Sequence, residues 1–412
     1  MIILYTIGIL LYRFIIIVVS PFNGKAKKWL NGRKDIISKL KATTNGYDKI
    51  AWFHCSSLGE FEQGRTVMEA FRKQYNDYKI LLTFFSPSGY EVRKNYEAAD
   101  WVFYLPLDTH RNAKRFIAAV NPTIAIFVKY EFWYYYLTQL KRKGVNTYLA
   151  SAVFRSKQAF FKWYGGFFRK MLTCYKLLFV QNQQSVELLN SINITNTFLA
   201  GDTRFDRVYE LAQNATDIPI LTQFCSNAKL TLIAGSTWHE DEVLLADYFA
   251  SQQNLKLIIA PHEVENSRIE RLQKQLQAYK TIRYTEVSDS TDLTAYNVLI
   301  IDTIGLLMSA YRYGDISYVG GGFGSSGIHN TLEPATFGIP VVFGPIYDKF
   351  KEAVELVEAG GAFSAANQQE LTSILNKLIT NNDLRVQCGN ICKAYVEQKR
   401  GATKAILSNI SA

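Results

Sequence analysis

From about residue 50 the chain alternates short apolar runs with longer amphipathic ones: KIAWFH, EFEQGRTVMEAFRKQY, KILLTFF, PSGYEVRKNYEAA and WVFYLPL follow one another in close succession. Strand-length apolar runs separated by helical patterns leave few ways to fold. Parallel strands need crossovers long enough to hold a helix, and a parallel sheet needs both faces covered. The rhythm continues through TIAIFVKY, NTYLASAVF, KLLFVQ and NTFLAG to about residue 200. After the polar stretch DTRFDRVYELAQNATDIPILTQF it restarts with KLTLIAGS, LKLIIAPH, NVLIID, DISYVGGG and IPVVFGP. The pattern predicts two doubly wound α/β domains in tandem, which suits 412 residues, a length too great for one ordinary core. The cleft of such a pair is the default binding site.

The net charge of +10 looks at first like a nucleic-acid signal, but residues 1–50 hold nine Lys/Arg against two Asp, leaving only +3 for the other 362 residues. The basicity belongs to an N-terminus that reads MIILYTIGILLYRFIIIVVSPF, followed by Lys25, Lys27, Lys28, Arg33 and Lys34. This is the pattern of a membrane segment whose flanking positives keep the following chain in the cytoplasm. Arg13 inside the run and the absence of a small-residue cleavage site argue against a signal peptide, and Arg13 also favours a shallow, interfacial anchor over a full span. Residues 154–176 carry six Lys/Arg, no acid and eight aromatics. A basic aromatic helix there suits anionic headgroups, and a core helix with a solvated basic face is the alternative. Nucleic-acid stacking uses the same residue types but fits a membrane-tethered chain poorly. Five scattered cysteines, odd in number and without zinc spacing, fit a reducing compartment.

Two carboxylates stand where an open parallel sheet gathers its ligands, at the carboxyl ends of strands. Glu60 closes FHCSSLGE and opens a helical pattern, so it is either a helix cap or a catalytic base beside free N–H groups that suit anions. Glu131 in KYEFW follows the strand TIAIFV and is either a second site carboxylate or a capping acid beside aromatics. Residues 322–327, GFGSSG, match GxGxxG, with Asp348 about 20 residues on. Only 85 residues follow Gly327, too few for the Rossmann domain such a fingerprint should open. The loop suits a phosphate from a nucleotide sugar better, with Glu333 accepting ribose hydroxyls, or else it is a tight turn with a capping acid. No HExxH, paired CxxC or DxD is present, so a protein-bound metal has no sequence support. His54 and His329 sit in these loops, where a lone histidine commonly just orients its surroundings.

Together these segments resemble the 3-deoxy-D-manno-octulosonic acid (Kdo) transferases, which attach Kdo to a lipid A precursor. FHCSSLGE is similar to the family's HxxSxGE, KYEFW to TELW, GDTRFD at 201–206 to GNxKFD, AGSTWHEDE at 234–242 to AGSTHxGEE, and DTIGLL at 302–307 to DTMGEL. IHNTLEPATFGIPVVFGP at 328–345 is similar to GGHNxLEPAxxGxPVxFGP, and the matches run in order from residue 53 to about 352. The resemblance implies an α/β protein of the GT-B fold: two Rossmann-like doubly wound domains facing across a cleft, with an N-terminal membrane-anchor helix. The expected segments are 1–24 (anchor), 25–205 (lipid acceptor) and 206–412 (CMP-Kdo donor). It implies an inverting transfer of Kdo from CMP-Kdo to lipid IVA in lipopolysaccharide synthesis, on the cytoplasmic face of the inner membrane, with no metal, cofactor or nucleic acid. Glu60 becomes the general base, with Ser57, Gly59 and Glu131 in the acceptor site. Arg204, Ser236, His262, Gly305, Asn330 and Glu333 fall on the donor side, Arg204 toward phosphate or carboxylate.

The chain departs from the family pattern at four places. APHEVE stands where members carry APRH, so that His262 and Glu263 occupy that turn; Asp202 replaces asparagine; Arg204 replaces lysine; and Tyr134-Tyr135 replace Pro-Asn. The rival readings are a GT-B enzyme using UDP donors, a soluble epimerase of related fold, which needs no lipid anchor, and a non-catalytic membrane-tethered nucleotide-binding protein.

Overall fold

The computed structural model of the protein describes residues 1–250, 255–325 and 327–411; Ser326, inside the glycine-rich stretch, lies outside them. The chain forms two compact units, residues 1–206 with 400–412, and residues 207–399. Each is built on a seven-stranded sheet in which every pairing is parallel.

In the first unit the strands are β1 (Ile50–Cys55), β2 (Lys79–Phe84), β3 (Trp101–Tyr104), β4 (Ile124–Val128), β5 (Asn146–Ala152), β6 (Leu177–Val180) and β7 (Thr197–Leu199). They are ordered 3-2-1-4-5-6-7. The order reverses between β1 and β4, which makes the ends of those two strands the switch point where doubly wound sheets bind ligands. All six residues of β1 are buried, as a strand covered on both faces requires. On one face Trp52 meets Phe116, Phe127 and Tyr136. On the other, Phe53 packs on Phe71 of the helix that follows β1.

The helices of this unit begin with α1 (Ile2–Val19), α2 (Gly24–Asn31), α3 (Ile36–Thr44), α4 (Leu58–Gln74), α5 (Pro87–Arg93), α6 (His110–Val120), α7 (Tyr134–Arg142) and α8 (Gly166–Leu172). α1 is long and apolar enough to cross a membrane, yet one side of it is docked on the unit. Tyr5 Oη donates to Asp108 Oδ2 at 2.5 Å, Thr6 Oγ1 lies 2.6 Å from Tyr135 Oη, and Tyr12 packs edge-on to Trp29 at 5.8 Å. Tyr134 and Tyr135, the departures after Trp133, both pack against Tyr5. The opposite side of α1, including Leu4, Ile7, Leu11, Phe14 and Val18, is exposed.

Residues 154–176 do not form the single basic aromatic helix expected. They fold as a 3-10 turn (Ala159–Phe161) and the short α8. Phe154, Phe160, Phe167 and Tyr175 are buried in the core, because the polypeptide returns here to cover the sheet. Only Trp163 and Tyr164, in the turn before α8, are exposed aromatics.

The second unit has β8 (Leu230–Thr237), β9 (Leu255–Pro261), β10 (Thr281–Arg283), β11 (Val298–Ile300), β12 (Ile316–Val319), β13 (Val341–Phe343) and β14 (Ala362–Ser364), ordered 10-11-9-8-12-13-14. Residues 400–411, expected with the second domain, pack on the first. The helix Ala402–Ser408 and its tail bring Ile406, Leu407 and Ile410 into the cluster of Phe71, Ile80 and Phe179. Asp206 fixes their entry, accepting from the backbone N–H of Gly401 at 2.6 Å and of Thr403 at 2.8 Å.

α4 approaches β4 closely at Gly64, where a Cβ would stand 2.5 Å from Val128 Cγ2. Gly64→Ala is expected to destabilise the first unit by about 1–3 kcal/mol through overpacking, read as a lowered denaturation midpoint in urea. An unchanged or raised midpoint would show that α4 can shift away freely.

Candidate functional site

The loop from β1 to α4 carries the first carboxylate. Ser57 is the residue before the helix, in extended conformation, and its hydroxyl donates to Glu60 Oε2 in the first turn. Glu60 is half-buried, and its other oxygen accepts nothing from the described residues. Gly59 is exposed, and a Cβ there would meet only Ser57 Oγ at 3.8 Å, so the approach to Glu60 is open.

Glu131 is placed differently. It is 2 % exposed, and its carboxylate is surrounded by donors. Ser56 N–H reaches Oε1 at 3.0 Å; Ser56 Oγ and Trp133 Nε1 reach Oε2 at 2.9 and 2.5 Å. His54 Nε2 faces Oε2 at 3.3 Å, an ion-pair distance. Its other nitrogen, Nδ1, lies 2.8 Å from Thr83 Oγ1. These contacts tie the end of β4 to the end of β1 and fix the backbone that presents Ser57 and Glu60. Glu131 therefore acts on the loop, with no oxygen turned to solvent, and His54 orients that loop as a lone histidine commonly does.

Sequence reasoning missed Lys129, between β4 and Glu131. Its backbone is left-handed at φ +75°, a strained conformation for a side-chain-bearing residue and one that concentrates at functional sites. Burial pushes the Lys129 ammonium below its ordinary range; the Arg204 charge adds to this, while Asp202 and Glu60 oppose it. Lys129 thus feels the fields of both Arg204 and Glu60. Arg204 itself is gripped by Asp202: its N–H donates to Oδ1 at 2.9 Å, its Nε to Oδ2 at 2.9 Å, and its Nη2 lies 2.8 Å from Oδ2. The two departures in GDTRFD form one ion pair. In sequence the signal was available, an acid and an arginine replacing two residues two positions apart.

In the second unit Ser236 lies at the end of β8, His262 just after β9, and Asn330 and Glu333 after β12. Ser236 has a left-handed backbone, φ +54°. Trp238, His262 and His329 form a stack, with ring centroids 4.8 Å apart for Trp238 and His262 and 4.2 Å for His262 and His329. Trp238 Nε1 donates to His329 Nε2 at 3.0 Å, so the His329 proton sits on Nδ1. Burial, helped by His262, pushes His329 down to about 4, keeping it neutral at pH 7. Glu263, beside His262, pairs with Arg268 at 2.6 Å, and the Arg268 guanidinium lies over the Trp238 ring. Asn330 Nδ2 donates to Glu333 Oε1 at 3.1 Å; burial pushes the Glu333 carboxyl up and that amide pulls it back. Gly305 lies in the exposed loop after β11 with φ +98° and open space around it.

The glycines near 320 have a packing explanation. A Cβ on Gly322 would meet Gly344 Cα at 2.6 Å, and one on Gly320 would meet the Ser236 carbonyl at 2.4 Å. Backbone touches backbone there. Asp241, also missed, is 1 % exposed and accepts from Trp238 N–H and Gly321 N–H, each at 2.8 Å, and from Tyr318 Oη at 2.7 Å. It ties β8 to β12 as Glu131 ties β4 to β1.

Two parallel seven-stranded α/β units of this kind are the GT-B architecture. The structure of UDP-GlcNAc 2-epimerase from Neisseria meningitidis bound to UDP-GlcNAc shares this fold, with a TM-score of 0.61 at 13% identity, covering 88% of this chain and 99% of that one. Residues 30–207 match the family described as 3-deoxy-D-manno-octulosonic-acid transferase (kdotransferase). The 3-deoxy-D-manno-octulosonic acid transferase of Aquifex aeolicus is 29% identical over 361 residues, spanning 85% of this chain and 92% of the relative. That of Chlamydia trachomatis serovar A is 26% identical over 389 residues, spanning 92% and 87%. The chain is thus similar to Kdo transferases over most of its length and has the GT-B fold.

Because three donors converge on Glu131, Glu131→Gln turns an amide N–H toward at least one of them. The expected loss is about 2–4 kcal/mol of stability, measured by denaturant unfolding. A loss below about 0.5 kcal/mol would mean that the carboxylate does not hold the loop.

Proposed function

We propose that the chain transfers Kdo from CMP-Kdo to a hydroxyl of a lipid A precursor such as lipid IVA, inverting the anomeric centre. The observation that carries this reading is the contrast between the two carboxylates. Glu131 is consumed by structure, while Glu60 keeps an unengaged oxygen beside an open glycine. In the proposed step the acceptor hydroxyl oxygen attacks the anomeric carbon of Kdo as the bond from that carbon to the CMP phosphate oxygen breaks. The hydroxyl proton passes to Glu60, and CMP leaves with the bonding pair. Ser57 holds Glu60 in the rotamer that faces the acceptor, and a carboxylate so aligned contributes about 10²–10⁴-fold. Gly59 leaves room for the sugar.

On the donor side, Ser236, His262, Gly305, Asn330 and Glu333 are assigned to CMP-Kdo. Glu333 takes ribose hydroxyls through its second oxygen, and the Trp238–His262–His329 stack offers a flat face to a ring. Arg204 and Lys129 meet donor phosphate or carboxylate, where cations offset the charge that develops on the leaving group. The family of the matched relatives supports the Kdo chemistry.

The proposed location is the cytoplasmic face of the inner membrane, with α1 lying in the interface. Tyr5, Thr6 and Tyr12 touch the first unit over about two turns, so α1 cannot cross a bilayer without taking that unit in with it. Phe22 and Trp163 are 92 % and 93 % exposed, and Phe167 of α8 packs on Tyr5 at 5.7 Å. Phe22, three residues past the end of α1, is thus an exposed aromatic of the kind that interfacial helices carry.

Glu60→Gln is expected to lower the transfer rate by about 10²-fold or more with an unchanged unfolding midpoint; near-normal turnover would remove Glu60 as the base. In a donor screen with lipid IVA as acceptor, CMP-Kdo and not UDP-sugars should add mass to the lipid. Transfer from a UDP-sugar would move the chain to the rival GT-B reading, and no transfer from any donor to the non-catalytic one.

A further inference from the structure

A cavity of 1090 Å³ lies in the first unit beneath α1, lined by α1, the turn between α2 and α3, and the start of α6. Its lining holds five Lys/Arg, at 13, 33, 34, 111 and 115, against one acid, Asp35. Arg33 is used up by structure: its guanidinium donates to the carbonyls of Trp29, Phe85 and Leu105. Arg13, Lys34, Arg111 and Arg115 are exposed and make no ion pair with any described residue. Arg111 and Arg115 stand one turn apart on α6, where like charges repel. α6 has no acid in its first turn, so its positive end faces these cations without compensation. Four unpaired cations converging in one cavity are the complement of a multiply charged anion.

The neighbours of the cavity say where that anion comes from. Leu10 of α1 and Ile37 of α3 line the same space, and the free face of α1 is a continuous apolar surface. An anion held here has hydrocarbon beside it. We propose that this cavity is a binding site for the phosphate headgroup of a bilayer lipid, the phosphate taken by Arg13, Lys34, Arg111 and Arg115 and the acyl chains running along α1. The site is built on other elements than those that carry Glu60 and Glu131. The proposal rests on α1 lying in the membrane interface and does not depend on the donor sugar.

The test is flotation of the full-length protein with vesicles of phosphatidylcholine alone and of phosphatidylcholine with phosphatidic acid. Wild type should prefer the phosphatidic acid vesicles. Arg111→Gln/Arg115→Gln, at exposed positions that leave the fold intact, should reduce that preference at least about tenfold. Lys73→Gln/Lys143→Gln removes the same charge from exposed sites outside the cavity and should leave it unchanged. Equal loss in both variants, or no preference in wild type, overturns the proposal. Abolition of the preference by inorganic phosphate, at an ionic strength matched with sodium chloride, also overturns it, in favour of a free-anion site. Failure to float with phosphatidylcholine alone counts against the interfacial α1, while the phosphatidic acid comparison still reads the cavity.

Discussion

Ser56, Trp133 and His54 bring four polar groups to the Glu131 carboxylate, in a place from which water is excluded. A carboxyl group in such surroundings is tolerated only when hydrogen bonds replace its hydration, and losing one partner is costly. This forces the ends of β1 and β4 into one arrangement. The start of α4 then follows, with Ser57 extended and Glu60 in the first turn. The second unit solves the same problem with Asp241, whose partners come from the ends of β8 and β12. In both units a buried acid at the switch point holds the loops.

The parallel sheets were legible because strands covered on both faces must be continuously apolar, and KIAWFH or LKLIIAPH cannot hide that. The order of motifs made the similarity to Kdo transferases legible as well. What the sequence concealed was which carboxylate is consumed by packing. Glu60 and Glu131 both follow strands, and only the three-dimensional positions of Ser56 and Trp133 separate them. The left-handed backbones of Lys129, Ser151 and Ser236 are equally invisible, since none is a glycine. The aromatics of 154–176 misled for a related reason: composition cannot say which face of an irregular segment turns inward, and four of the eight turn into the core.

The departures from the family pattern become intelligible as pairs. Asp202 with Arg204, Glu263 with Arg268, and Tyr134 and Tyr135 with Tyr5 each place a changed residue against a partner. Two of the three are ion pairs beside residues assigned to the donor. The third makes the seat of α1. Local exchanges of this kind alter how a framework is held together while leaving its strand ends in register.

The return of residues 400–411 to the first unit makes the second unit an insertion within the first. On a nascent chain α1 therefore emerges before a sheet whose core still lacks Ile406, Leu407 and Ile410, and the second unit follows as a contiguous block. The first unit is begun before the second and closed after it. Until the Asp206 carboxylate finds Gly401 and Thr403, its sheet keeps an uncovered apolar patch, during the interval in which α1 is already available to a membrane.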